Sequence, residues 1–492
     1  MTPELRPENL ERAEAWGQAS YGMAYVYRPS TVAGLAEAFA LARNTGVPLG
    51  LRGAGRSYGD ASINSEGILV DLTRMNRVLD WDPDSGVIDV EPGVTVEQLW
   101  RYVLGDGWWP AVVPGTMFPT IGGCLAMNVH GKNNWQEGTL GEHVLEFEAM
   151  LPSGELLVCS PASDPELFHA MIGGLGVLGC FTRIKLQLKR VYSGRLDVLA
   201  LSVPNIEAML DEMDALKDEW EYVVGWVDGF ARGRAVGRGQ IHAANHLAKG
   251  IDSDPAQSLR LDHQDLPDTF FGLVPKSALW RFMKPFANNI GWRMVCLARY
   301  LMAKRGSGHR VRQSLAEFNF LLDYVPHWRR AYWPEGLIQY QCFIPGGEAS
   351  DGFAEILRAT QASGLPSYLG VTKRHRPDDF LFTHAVDGFS MALDFRVTRR
   401  NRHRLVALAH ALDEIVLSHS GRFYFAKDST LTPDAALAYL GQETVDRFLN
   451  LKARCDPHSL LKTDLWRRVF EPLSDREGFH KLSGENAPTP TG

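Results

Sequence analysis

Three short segments in the first quarter of the chain combine glycine with hydroxyl side chains: Gly53-Ala54-Gly55-Arg56-Ser57-Tyr58-Gly59-Asp60-Ala61, Pro114-Gly115-Thr116 and Thr120-Ile121-Gly122-Gly123. Such loops leave consecutive backbone N–H groups uncovered, so a diphosphate can lie directly against them. Three in one half of a chain suit an extended cofactor that carries a diphosphate. None is a P-loop, since GxxxxGK[ST] is absent. A fourth cluster, Gly174-Leu175-Gly176-Val177-Leu178-Gly179, satisfies GxGxxG, but helix-like PELFHAMI precedes it and a strand follows. The dinucleotide fingerprint needs the order strand, glycines, helix. The first cluster follows a strand but carries Tyr58 where the third fingerprint glycine belongs.

Further along, Gln339 and Gln341 are two apart in a strand-like run, so their amides point the same way. An amide pair reaching into a pocket can read sugar hydroxyls; a solvent-facing edge is the alternative. His242 and His246 have the spacing of two imidazoles on one helical face, but Ala243 stands where a zinc protease carries glutamate, so no metal site is expected. Ser57 and Ser429 lack the nucleophile elbow of a serine hydrolase. Arg396, Arg399, Arg400, Arg402 and Arg404 read first as a solvated loop and helix start, and second as a contact to lipid phosphate. Cys124, Cys159, Cys180, Cys296, Cys342 and Cys455 form no CxxC pair and sit mostly in apolar runs, as buried thiols of a reducing compartment do.

The elements that must hold these groups alternate along residues 31–192. Thr31–Thr45 has helical periodicity, and Val47–Arg52 is an apolar strand running into the first glycine loop. Gly86–Val90 is a strand, and Thr95 with Gln98 forms a capping box that opens a helix. Phe147–Val158 reads as a hairpin across Pro152-Ser153-Gly154, and Cys180–Val191 alternates Ile184, Leu186 and Leu188 with Lys185, Gln187 and Lys189 as a half-buried strand. From about 193 to 420 the elements are spaced further apart. Residues 276–312 hold nine Lys/Arg and no Asp or Glu, interleaved with Trp280, Phe282, Phe286, Trp292, Leu297, Tyr300 and Leu301. That composition suits a surface meeting anionic lipid or a phosphorylated ligand, or else a solvated loop and helix pair. Residues 421–470 return to a compact pattern, 474–492 are polar and read as disordered, and no internal repeat is present.

With 51 Lys+Arg against 58 Asp+Glu, the net charge of −7 argues against a nucleic-acid partner. The 492 residues, 45% hydrophobic and 22% charged, are enough for about two to four globular domains. No uncharged stretch reaches the ~18–20 apolar residues of a membrane span. The N-terminus lacks the basic start and apolar stretch of a secretory signal. A cytoplasmic protein, soluble or peripheral to the membrane, is expected.

Together with Asn128-Val129-His130-Gly131-Lys132-Asn133 and Gly173–Gly176, the glycine loops resemble the FAD-binding domain of the vanillyl-alcohol-oxidase/PCMH flavoprotein family. Beyond it, Gln339-Tyr340-Gln341 with Ile344-Pro345, Leu393-Asp394-Phe395, the run Gly421–Ser429 and Cys455-Asp456-Pro457 are similar to the decaprenylphosphoryl-β-D-ribose 2′-oxidases of that family. Those flavoenzymes begin ribose-to-arabinose epimerisation on a polyprenyl phosphate. The likeness runs in order over about residues 15–470. Its specific parts are the HGKN and AKDS blocks; the glycine loops are shared with aldonolactone oxidases and sterol Δ24-reductases.

The resemblance implies an α+β fold: a bipartite PCMH-type FAD-binding domain (1–192 and a C-terminal return, 421–475), an inserted antiparallel-sheet substrate domain (193–420), and a tail (476–492). It implies FAD held by Gly53, Ala54, Gly55, Arg56, Ser57, Tyr58, Gly59, Asp60 and Ala61, by Gly115, by Thr120, Ile121, Gly122 and Gly123, and by Met127, Asn128, Val129 and His130, with Tyr424 packed near the flavin. Lys427 and Gln341 would face the substrate side of the ring, with Lys132, Tyr58, Lys373, Gln339 and Ser390 lining the pocket. Wider relatives attach flavin through a histidine in the first loop. Here Arg56 takes that place, and Gly53–Gly59 contains no His or Cys, so the FAD is expected to be non-covalent.

A flavin oxidising a secondary alcohol needs an acceptor for the hydroxyl proton and positive charge nearby. Lys427 suits either role, and as a base it needs burial to lower its pKa; pairing with Asp428 or Asp394 is the alternative. His130 could act on the proton, or simply bond cofactor or backbone. Ser390 replaces a cysteine, Asn319 replaces a tyrosine, and residues 230–312 match poorly, all on the substrate side. The expected activity is oxidation of a sugar hydroxyl on a polyprenyl-phosphate carrier, in cell-wall polysaccharide biosynthesis. A short-chain reductase would be the partner, with membrane contact through 276–312. A soluble alditol or D-arabinono-1,4-lactone oxidase, an FAD-dependent Δ24-reductase, and a flavin-free binding protein are the alternatives.

Overall fold

The computed structural model describes residues 5–270 and 274–476; the expected tail lies, from residue 477 on, outside the described residues. Helices and strands mix in an α+β arrangement with three main sheets. In the first, Leu10–Glu14, Tyr21–Tyr27, Ile68–Asp71 and Leu49–Arg52 lie side by side, antiparallel at the first pair and parallel thereafter. The second is antiparallel, in the order Val78–Asp82, Val87–Val90, Cys180–Gln187, Val144–Met150, Leu156–Cys159. Local chemistry accounts for these elements. Thr31 caps the Val32–Thr45 helix by accepting from the Gly34 amide, and Gly46 ends it in the left-handed region at φ 69°. Thr95 and Gln98 form both bonds of the capping box, and the Val96–Val103 helix buries Val96, Leu99, Trp100 and Val103.

The third sheet has eight strands: Arg310–Ser314, Arg195–Val203, Gly239–His246, Tyr222–Val227, Leu369–His375, Gly388–Arg396, Leu337–Pro345 and Arg422–Phe423. All its neighbours are antiparallel, and its last strand comes from the C-terminal segment. That segment then returns to the first sheet. The Leu49 amide donates to the Leu460 carbonyl at 2.8 Å, and Lys462 donates back to Leu49 at 2.9 Å.

Two expectations meet the structure here. The fourth glycine cluster is flanked as read, by the Pro165–Met171 helix before and the Cys180–Gln187 strand after. His242 and His246 lie on the Gly239–His246 strand, not on a helix. A spacing of four keeps two side chains on one face in either element, so periodicity alone misassigned it. The six cysteines are buried and unpaired. No helix among the described residues is long and apolar enough to cross a membrane.

Candidate functional site

A cavity of about 500 Å³ runs between the glycine loops and the eight-stranded sheet. On the loop side it is lined by Gly53, Ala54, Gly55, Arg56, Ser57, Tyr58, Ala61, Gly115, Thr120, Gly122, Gly123, Met127 and Val129. Backbone requirements explain the glycines. A side chain at Gly53 would run into the Thr120 hydroxyl, and Gly55 sits at φ 61° with Arg52 packed against it. Thr120 also caps the Ile121–Ala126 helix, accepting from Gly123 at 3.3 Å. Arg56 is held between the rings of Trp16 (4.1 Å) and Phe118 (4.8 Å), and its buried Nε has no partner among the described residues.

Four expected residues lie behind this wall. Ile121 is core, and Asn128 turns its side-chain oxygen to the Gly141 amide at 3.0 Å. Gly59 packs on the Asp428 carbonyl, and Asp60 pairs with Arg468 at 2.8 Å. Arg468 also reaches Asp428 at 2.8 Å, so the first loop is clasped to the C-terminal segment.

Facing the loops, the sheet supplies Gln339, Gln341, Lys373 and Ser390, and the loops beside it supply His130, Lys132, Tyr424 and Lys427. Strand register brings these together: Gln339 is opposite Asp394, and Lys373 is opposite Ser390. The Gln339 amide donates to Asp394 Oδ1 at 2.5 Å, while Asp394 Oδ2 is buried without a partner. Burial therefore raises the Asp394 carboxyl to about 7, with the Gln339 bond opposing. Lys427 stands over the Tyr58 ring at 4.2 Å; burial lowers it to about 8, and Asp394 opposes. Neither alternative ion pair forms, because Asp428 is taken by Arg468 and Asp394 by Gln339. Burial and the charge of Lys427 lower Lys373 to about 7. Burial, then Lys373, holds Lys132 well below the usual ammonium range, and its Nζ donates to the Phe318 carbonyl.

His130 is touched on both ring nitrogens, by the Gln341 amide nitrogen at Nε2 (2.9 Å) and by Lys373 Nζ at Nδ1 (3.4 Å). Burial first, then Lys373, His375 and His384, keeps it well below the usual imidazole range, hence neutral. A neutral ring offers one donor and one acceptor. With Lys373 charged, Nδ1 accepts and Nε2–H must meet the Gln341 oxygen; with Lys373 neutral, Nδ1–H can donate to it and Nε2 can accept from the amide NH₂. The imidazole tautomer is thus coupled to the charge of Lys373.

Sequence reasoning missed His375, whose Nε2 lies 2.8 Å from Ser390 Oγ, and His384, whose ring is 4.4 Å from that of Tyr424. It also missed Trp16, Trp226, Arg299 and Asp323 on the cavity wall. The signal for His375 was present: it is two residues from Lys373 on one strand, so both side chains leave the same face. Asp323 accepts from Thr116 Oγ1 (2.7 Å) and the Met117 amide (2.8 Å), which folds segment 321–325 over the second glycine loop.

Residues 23–160 match the FAD binding domain family. The chain is 28% identical over 483 residues to decaprenylphosphoryl-beta-D-ribose oxidase of Mycolicibacterium smegmatis, covering 94% of this chain and 98% of that one. It is 27% identical over 197 residues to L-gulonolactone oxidase of Mus musculus, covering 40% of this chain and 43% of that one. It is 28% identical over 166 residues to a putative D-arabinono-1,4-lactone oxidase of Neurospora crassa, covering 34% and 30%.

Proposed function

We propose that this FAD-dependent oxidoreductase acting on CH–OH groups, whose residues 23–160 match the FAD binding domain family, is a PCMH-type flavoprotein that oxidises a secondary hydroxyl of a sugar carried on a polyprenyl phosphate to the ketone. The observation that carries this reading is the convergence of Lys427, Lys373, His130, Gln339 and Gln341 on the cavity bordered by the glycine loops. In this reading residues 1–192 and 421–475 form the cofactor part and 193–420 the substrate part.

The residues present fit FAD. The side-chain-free surface at Gly53 and Gly55 leaves amides open for a diphosphate, and the orphaned Arg56 Nε and Tyr58 hydroxyl offer polar groups at the same wall. With no His or Cys in Gly53–Gly59, the cofactor is held non-covalently. When bound, FAD supplies the two-electron oxidant for the carbinol carbon. Lys427, brought to about 8, is neutral in part near pH 7 and takes the hydroxyl proton. Lys373 lines the wall on the same side, and the paired amides of Gln339 and Gln341 orient the sugar hydroxyls. Ser390, held by His375, offers one further polar contact.

Membrane contact has its own support. The Asn289–Arg305 helix exposes Ile290, Met294, Leu297, Leu301 and Met302, flanked by Arg293, Lys304 and Arg305. Basic and apolar groups on one surface suit anionic lipid. The keto product is a substrate for a hydride-donating reductase of the short-chain type, which would complete an epimerisation.

The test is anaerobic mixing of the holoenzyme with a prenylphosphoryl pentose, with ribitol and with an aldonolactone, following loss of the flavin absorbance. Loss with the prenylphosphoryl pentose alone supports this reading. Loss with the small polyol or lactone alone overturns it.

A further inference from the structure

On the sheet side of the cavity stands a cation that the oxidation does not use. Arg299 leaves the Asn289–Arg305 helix, lays its guanidinium over the indole of Trp226 at 4.3 Å, and lines the cavity beside His242. Among the described residues no carboxylate offsets its charge: beyond burial, the groups acting on it reduce to the Cys296 thiol. His242, the titratable neighbour on the facing strand, is held down to about 4 by burial, Arg299 and Lys132, and is therefore neutral. Lys373 and Lys427 bring further, partial positive charge to the same cavity, against the carboxyls of Asp394 and Asp323, both raised by burial. Arg299 is half-buried and makes no hydrogen bond to any described residue, so its guanidinium donors are free to meet an acceptor that a ligand brings into the cavity. A fork of this kind matches two oxygens of a phosphate better than any sugar hydroxyl does.

The helix that carries Arg299 inward turns Ile290, Met294, Leu297, Leu301 and Met302 to the outside. A phosphate inside and an apolar chain outside can therefore be met by opposite faces of one helix. We infer that Arg299 is the phosphate-recognising residue of the substrate site. It holds the phosphodiester of a prenylphosphoryl sugar, so that the sugar extends toward Lys427 and the prenyl chain leaves along the Asn289–Arg305 helix. This rests on the substrate class proposed above.

The experiment compares the wild-type holoenzyme with Arg299→Gln and Arg299→Lys. Binding of farnesyl phosphate is measured by calorimetry, with pentose 1-phosphate as competitor. Turnover is measured on a prenylphosphoryl pentose and on an uncharged alkyl pentoside. Arg299→Gln should weaken farnesyl phosphate binding by ~10–100-fold, the loss of a charged hydrogen-bonded contact. Its kcat/KM on the prenylphosphoryl pentose should fall similarly, mostly through KM, with Arg299→Lys recovering part. Turnover of the pentoside should stay within about 2-fold, which separates loss of recognition from loss of fold. Equal binding by wild type and Arg299→Gln, no binding by wild type, or equal losses on both substrates overturns the assignment. Pentose 1-phosphate displacing farnesyl phosphate at equal concentration overturns the lipid part and keeps the phosphate. A wild type that binds farnesyl phosphate through Arg299 yet oxidises only small polyols refutes the proposed reaction, while supporting Arg299 as the phosphate residue.

Discussion

Lys373 Nζ stands 3.4 Å from Nδ1 of His130, although the two residues are 243 positions apart. The contact ties a residue of the N-terminal half to a strand of the eight-stranded sheet, on the wall where Lys427 also stands. Lys373 is lowered to about 7 and Lys427 to about 8, so their protons leave as a coupled pair between those values. A base must be neutral to act, so flavin reduction by substrate should accelerate as pH rises from 6 to 9. Lys427→Met should slow it by ~10²–10⁴-fold and flatten the rise. Lys373 loses its proton first, so Lys427 titrates beside a neutral neighbour and Lys373→Met should leave the rise close to pH 8. Stopped-flow rates across pH decide this. A wild-type profile that falls with pH, or a rise displaced from that pH in Lys373→Met, contradicts the assignment.

Arg468 joins Asp60 and Asp428, each at 2.8 Å, and so closes the first glycine loop against the C-terminal segment. Breaking a largely buried ion network leaves carboxylates unpaired, at a cost of about 3 kcal/mol. Arg468→Met should therefore lower the melting temperature and raise the FAD dissociation constant at least tenfold, because the loop that borders the cavity loses its anchor. Fluorescence titration of the apoprotein with FAD measures the second effect. Unchanged affinity would mean that the loop holds its shape without the clasp.

The cofactor half was legible because its chemistry is contiguous. Gly53–Ala61 and Thr120–Gly123 are each one stretch of backbone, and the Thr95–Gln98 capping box is a purely local device. The substrate half is assembled across strands, and a single chain does not announce which strands pair. Asp394 matters because register sets it opposite Gln339, and Arg299 because its helix turns one arginine inward from a basic surface stretch. Composition flagged 276–312 as basic and aromatic but could not say which cation faced the cavity. His242 shows the same limit, since its spacing from His246 fits a helix or a strand face equally.

Asp413 is buried on the Arg402–Ser418 helix, accepts from the Tyr340 hydroxyl at 2.9 Å, and is raised to about 7 by burial despite that bond. In the unfolded chain it titrates near the ordinary carboxylate value of ~3.9. Between those values the folded state keeps a proton that the unfolded state has lost, so stability falls as pH rises, by up to ~1.4 kcal/mol per pH unit, and levels off above about 7. Asp413→Asn does not titrate. Its melting temperature relative to wild type should therefore climb from pH 4.5 to pH 7.5 and then stay constant. Scanning calorimetry at four pH values tests this, and a constant difference would place the Asp413 pKa in the ordinary range.

Arg56, fixed between Trp16 and Phe118, occupies the loop where a covalent flavin link would need a histidine or cysteine. Precipitation of the purified holoenzyme with trichloroacetic acid should therefore release all yellow colour to the supernatant. Gly53→Ala sharpens the point, because its methyl group would meet the Thr120 hydroxyl and push apart two loops of the cavity wall. That variant should purify with less than about a tenth of the wild-type flavin, a loss of about 1.4 kcal/mol or more in FAD affinity. Its circular dichroism should stay unchanged, since Gly53 serves the cavity rather than the core. Colour that stays in the wild-type pellet would point to a covalent bond from a residue outside the first loop. Full flavin content in Gly53→Ala would mean that the loops yield at this contact, and that the cofactor does not depend on their close approach.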